Sequence, residues 1–162
     1  MENNFASKAE VTRPANTTAY TAGDVVGATA AAIEFTNVGS GGGVGSGGHF
    51  IITDADLRFD LTSVPAGMTT FRLHLYDATP GSAYADNAAW DLPSGDRANY
   101  LGYIDLGTPV DVGSTLFVQV GDLKKKIWIK NSAALFGYLV TNGGYTPASA
   151  GTHAVRVNAI GI

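Results

Sequence analysis

The sequence predicts an all-β domain: a jelly roll or β-sandwich of about eight antiparallel strands, preceded by an extended N-terminal arm. Three observations predict it. Apolar and polar residues alternate with period two in several segments, as strands with one buried face require. Gly, Pro, Asn and Asp interrupt the chain at short intervals. No stretch sustains the apolar spacing of a long helix. The length of 162 residues suggests one domain, and 45% hydrophobic against 15% charged residues gives it a core to bury.

The elements follow in order. Residues 1–15 are polar and weakly patterned, with Phe5 and Val11 offering apolar contacts, and read as an arm that orders by docking. The sandwich domain then occupies residues 16–162. Ile33 and Phe35 alternate with Glu34 and Thr36. Residues 39–48 are Gly-rich and predict a flexible loop, after which His49-Phe50-Ile51-Ile52 is strand-like. Leu57, Phe59 and Leu61 alternate with Asp56, Arg58 and Asp60. Val64-Pro65-Ala66-Gly67 is a turn signal, and Phe71, Leu73 and Leu75 then alternate with Arg72, His74 and Tyr76. A helical turn is predicted within Ser82–Trp90. Further strands are expected at Tyr100–Leu106, Ser114–Val120, Ile127–Lys130, Leu135–Thr141 and His153–Ile160.

Two of these strands are apolar on both faces. Ile127 and Ile129 oppose Trp128, while Leu135 and Leu139 oppose Phe136, Tyr138 and Val140. A sandwich strand needs one buried face. The second face calls for either an extra layer of the same chain or a neighbouring subunit, and the low charge content favours the subunit. Trp128, Phe136 and Tyr138, with Trp90 and Tyr84 from a loop, are therefore the candidate oligomer-interface residues.

Charge and composition exclude several classes. A net charge of −4 argues against nucleic acid as a partner. The chain contains no cysteine, which removes disulfides and thiolate chemistry. No apolar run approaches the ~20 residues of a membrane span. The opening MENNFASKAEVTRP lacks the basic start and apolar stretch of a secretory signal, so synthesis in a cytoplasm is expected.

The motifs point away from catalysis. Gly43-Val44-Gly45-Ser46-Gly47-Gly48 fits G-x-G-x-x-G, but a dinucleotide loop opens a helix, and these glycines lead into a strand-like segment. His49, His74 and His153 have no metal-ligand spacing, and His74 is expected on a solvated strand face. No G-x-S-x-G elbow is present. Asp54, Asp56 and Asp60 share a strand face. The loop from Asp86 to Asp96 carries oxygen ligands suited to calcium, without EF-hand spacing, and the same residues are ordinary turn formers. Lys124-Lys125-Lys126 is either a contact for an acidic surface or a charged strand edge that blocks unwanted pairing. No catalytic, cofactor or metal residue is assigned.

Four segments carry a family likeness: Thr12–Gly27 (TRPANTTAYTAGDVVG), Leu73–Pro80 (LHLYDATP), Ala85–Gly107 (ADNAAWDLPSGDRANYLGYIDLG) and Tyr138–Ser149 (YLVTNGGYTPAS). In these the chain resembles small jelly-roll cement, or decoration, proteins of tailed bacteriophages. The resemblance implies a non-enzymatic virion protein, made in the bacterial cytoplasm and bound to the outside of the head. Its implied partners are the major capsid protein and further copies of itself, as a dimer or trimer, without cofactor, nucleic acid or membrane. On that reading Phe5, Val11, Arg13, Pro14, Lys124, Lys125 and Lys126 are the candidate capsid contacts. The alternatives are a tail-associated receptor- or carbohydrate-binding module using Trp90 and Tyr84, and a polysaccharide-cleaving enzyme using carboxylates among Asp86, Asp91, Asp96 and Asp105.

Overall fold

The computed structural model describes residues 4–35, 47–130 and 134–162. Its strands are β1 (Asn4–Thr12), β2 (Ile33–Phe35), β3 (Gly47–Phe59), β4 (Phe71–Tyr76), β5 (Tyr100–Leu106), β6 (Val110–Asp111), β7 (Leu116–Val120), β8 (Lys125–Lys130), β9 (Leu135–Thr141) and β10 (Thr152–Gly161). Among the described residues the one helical segment is a 3-10 turn at Arg97–Asn99.

One sheet runs β1-β10-β3-β7-β6, with β8 also paired to β3; the other runs β2-β9-β4-β5. All pairings are antiparallel. β10 takes one edge of β3, while β7 and β8 lie end to end along the other, opposite Ala55–Phe59 and Gly47–Ile52. Counted as one interrupted strand, with the two-residue β6 set aside, they complete a familiar order. The first, eighth, third and sixth strands form one sheet, and the second, seventh, fourth and fifth form the other. That is the jelly roll.

The interruption has a local cause. Asp122 adopts a left-handed φ of 55°, and the Leu123 N–H bonds to the Thr53 carbonyl at 2.9 Å. Thr53 is the extra residue of a bulge in β3, where the pairing with β10 slips between Asn158 and Ala159. Both neighbours of β3 therefore shift register at one level, which bends the sheet there.

β1 corrects the expected arm. Residues 4–12 pair with β10 along their whole length, from Asn4 opposite Ile160 to Thr12 opposite Thr152. Ser7 and Val11 are buried, Ala9 is half-buried, and Ala6, Lys8 and Glu10 face outward. The alternation was present in the sequence, but its inward residues are too small and polar to mark a buried face. The Gly-rich segment up to residue 46 lies outside the described residues. Gly47 and Gly48 open β3, a strand where a phosphate-binding loop would open a helix.

The core lies between the sheets. Phe35, Ile52, Leu57, Phe71, Leu73, Leu75, Leu106, Leu116, Ile129, Leu135, Leu139, Val155 and Val157 are fully buried there. Each such side chain contributes about 1.5–3 kcal/mol from burial. A second apolar layer covers the outer face of the smaller sheet. Val25, Tyr76, Tyr138 and Val140 are buried beneath Tyr84, Trp90, Leu92 and Tyr100. The chain itself thus covers the second face of β9, where a neighbouring subunit was expected. The covering loop contains no helical turn at Ser82–Trp90. Its backbone instead bonds to the segment before β2, Val25 N–H to Ala88 and Asn87 N–H to Val25, with Asn87 left-handed at φ 67°.

One glycine locks two loops together. Gly67 has φ +86°, and a Cβ there would stand 2.1 Å from the Gly144 carbonyl oxygen. Gly67→Ala is expected to lower stability by about 2 kcal/mol or more, from left-handed strain and overpacking together. A urea midpoint unchanged from wild type at equal m-value would contradict this contact.

Candidate interaction surface

The outer face of the six-stranded sheet divides in two at the bulge. Beyond it, toward Gly47, exposed apolar side chains gather beside Lys126. Ile127 and Ile129 point into the core, so Lys126 and Trp128 point out, and Trp128 is 51% exposed. His49 sits opposite Trp128 across the β3–β8 pairing, with the two rings stacked at 6.1 Å. In the next row Ile51 lies opposite Lys126 on one side and Ile160 on the other. The Ile162 N–H donates to the His49 carbonyl at 3.0 Å, drawing the end of the chain alongside. Ile160 and Ile162 are 40% and 61% exposed. Trp128, His49, Ile51, Ile160 and Ile162 thus form one contiguous surface.

The other half of this face is paired charge. Asp56 accepts from Arg156 at 2.7 Å and lies 3.2 Å from Arg58, whose guanidinium covers Phe117 at 5.5 Å. Asp54 bonds to Asn158, and Lys8 pairs with Glu10 at 2.6 Å. Asp60 accepts from the Thr152 hydroxyl at 3.5 Å.

Asp86 and Asp96, at the two ends of their loop, are held in separate structural bonds, while Asp91 between them is exposed. Asp86 and Arg13 form an ion pair at 2.8 Å with side chains 2% and 4% exposed. Asp86 also accepts from the Tyr20 hydroxyl at 2.5 Å and the Gly27 N–H at 3.0 Å, while Arg13 bonds to Tyr20 and to the Ala148 carbonyl at 2.7 Å. Burial opposes the Arg13 charge, but the bonds to Asp86 and Tyr20 outweigh it and raise its pKa. Burial and the bond to Asp86 push the Tyr20 hydroxyl far above its ordinary value. Asp96 accepts from the Gly81 and Ser82 N–H groups at 2.7 and 3.2 Å. Asp105 pairs with Arg72 at 2.8 Å on the surface. Among the described residues no group of three or more His, Asp or Glu is arranged to hold a metal ion.

Several predicted contact residues lie elsewhere than expected. Val11 and Arg13 are buried, so neither is presented to a partner; Arg13 is held by Asp86 and Val11 faces the core. Pro14 is half-buried. Phe5 lies in β1 opposite Ala159, and its side chain is outside the described set. Lys124 and Lys126 are exposed, with Lys124 3.8 Å from Asp122. Lys125 is half-buried, its ammonium packed over Gly102 and its pKa lowered by burial.

The aromatic candidates also separate. Trp128 is exposed, but Tyr138 is buried, donating to the Ser82 carbonyl at 2.9 Å. Tyr84 packs edge-on against Tyr138 at 5.4 Å, and Trp90 donates to the Tyr76 hydroxyl at 3.2 Å. Both therefore serve the intramolecular cover. Phe136 is half-buried in a groove of about 290 Å³ with Ala32, Glu34 and Pro80. His74, expected in solvent, is buried beneath Trp90 with ring centroids 3.6 Å apart, and bonds to the Tyr100 hydroxyl at 2.8 Å. His49, Ile51, Ile160 and Ile162 were missed because the register that brings them together joins distant segments.

No family model matches the sequence, and no curated protein matches it. Among solved structures the chain is similar to one from the full particle of Israeli acute paralysis virus. The two are 12% identical with a TM-score of 0.33, over 97% of this chain and 70% of that one. It is also similar to a chain from the structure of Tomato Aspermy Virus, 11% identical with a TM-score of 0.29, over 97% of this chain and 77% of that one. These likenesses concern the fold alone. The strand order itself makes the chain an all-β jelly-roll sandwich.

Proposed function

We propose that this chain is a non-enzymatic structural protein of a virion: a cement protein that binds the outer surface of a tailed-phage head. The observation that most supports the reading is the contrast between its acids and its exposed apolar residues. Asp54, Asp56, Asp86 and Asp96 are engaged in bonds within the fold, and Asp105 in a surface ion pair. Of the exposed large apolar residues, Trp128, Ile160 and Ile162 gather on one face. Such a face suits binding rather than turnover. The jelly roll is also a fold of viral shells, though folds host many functions.

In this reading the protein is made in the bacterial cytoplasm and joins the head as a dimer or trimer, bridging neighbouring major capsid subunits. A ligand that binds the assembled shell, and not its free subunits, stabilises the shell by mass action. Several weak linked contacts give it high avidity. Mixed with expanded phage heads that lack it, the protein is expected to co-sediment at a fixed, saturating ratio to capsid subunits and to raise their heat resistance. Protein that stays in the supernatant at every concentration would exclude the cement role.

A further inference from the structure

We infer that the surface around Trp128 docks an acidic protein segment with an apolar residue at its centre. The inference deepens the cement reading and rests on it for the partner's setting, a shell subunit. Three observations define the partner. The first is contiguity: Trp128 stacks on His49, and Ile51 and Ile160 fill the adjoining row. A tryptophan flanked by aliphatic side chains is the usual anchor of a protein contact.

The second is charge. Lys124 and Lys126 are exposed cations beside this face, in a chain whose net charge is −4. Lys126 stands in the row with Ile51 and Ile160, and Lys124 is exposed beyond it. Asp122 lies 3.8 Å from Lys124 and Asp54 is tied to Asn158, which leaves Lys126 as the cation set directly in the apolar row. An apolar centre with a cationic border fits an apolar centre with an anionic border.

The third is what the charge disfavours. A second copy meeting this face about a twofold axis would bring lysines toward lysines, a repulsive arrangement. A nucleic acid would meet a protein that is acidic as a whole.

The test compares wild type, Trp128→Ala and Lys126→Glu, both at exposed positions. Binding is measured to the same phage heads by co-sedimentation, and to a synthetic peptide of alternating glutamate and leucine by fluorescence anisotropy. Each variant is expected to weaken binding at least about tenfold. Lys126→Glu is also expected to flatten its salt dependence. Heads bound equally by wild type and both variants would overturn this surface and leave the cement reading standing. Peptide binding that needs Trp128, with no binding to heads, would uphold the surface and remove the cement reading. Failure to bind either probe would overturn both. A wild-type dimer that Trp128→Ala dissociates, or tighter binding to a single-stranded oligonucleotide than to the peptide, would overturn the assignment to an acidic protein segment.

Discussion

Arg13→Ala is expected to lower unfolding free energy by about 3–5 kcal/mol, because it strands a buried carboxylate. The two side chains of the pair are 4% and 2% exposed. Without the guanidinium, Asp86 keeps the Tyr20 hydroxyl and the Gly27 N–H, which do not neutralise its charge. The Ala148 carbonyl loses its partner as well. The damage extends beyond one pair, since these residues join the end of β1, the segment before β2 and the loop after β4. Replacing both ends, as Arg13→Met with Asp86→Leu, removes the stranded charge and is expected to recover much of the loss. Urea denaturation of the two single variants and the double variant measures the coupling. An Arg13→Ala loss below about 1 kcal/mol would mean that the pair is no more valuable than a surface one.

Acid is expected to act through two other buried groups. Burial, with Arg72 nearby, lowers the His74 pKa from 6.5 to about 4, against a weaker raising effect of Asp105. Burial likewise lowers His153 from 6.5 to about 4, with Asp86 and Arg13 acting in opposite senses. Neither ring nitrogen of His153 makes a hydrogen bond of ordinary geometry among the described residues. Both imidazoles are therefore neutral in the folded chain, and the unfolded chain takes up their protons first. Their neutral state costs nothing above pH 6.5, and stability is lost as pH falls from there toward about 4. Each histidine removes about 3 kcal/mol across that window.

Asp96 titrates in a separate range. Burial would raise its carboxyl, but bonds from Gly81 and Ser82 lower it below 3.8, so its contribution is lost only below the histidine window. Urea midpoints followed between pH 7 and 4 are expected to slope by about two protons, and by about one in His153→Phe or His74→Phe. A flat profile in the wild type would show that these rings are not held neutral. His153→Phe has a second expected effect, a gain at neutral pH, since it replaces a buried ring whose nitrogens lack a hydrogen bond of ordinary geometry with an apolar one.

Much of the sandwich was legible because its strands carry strong one-sided patterns. Phe71, Leu73 and Leu75 announce β4, and Ile127 and Ile129 announce the buried side of β8. β1 was hidden because Ser7 and Ala9 occupy inward positions that usually hold larger apolar residues. The covering loop was hidden because Tyr84, Trp90 and Leu92 follow no period; their partners, Tyr76, Tyr138 and Val140, come from two other strands. Arg13 looked like a free cation because its counter-charge, Asp86, lies 73 residues away. His74 looked solvated because alternation shows which way a side chain points, and says nothing of what lies on that side. The surface around Trp128 was half visible: its tryptophan and lysines stand together in sequence, while its isoleucines arrive from β3 and the end of β10.

The place of β10 carries a consequence for how the chain is made. This strand lies between β1 and β3, and it follows every other described strand in sequence. As the polypeptide leaves the ribosome, β1 and β3 have no strand to join them until β10 emerges. The larger sheet therefore closes late, through contacts spanning most of the chain, and topology of that kind folds slowly. Until closure two strand edges stay open to other chains, so freshly synthesised copies risk aggregating before the sheet is complete.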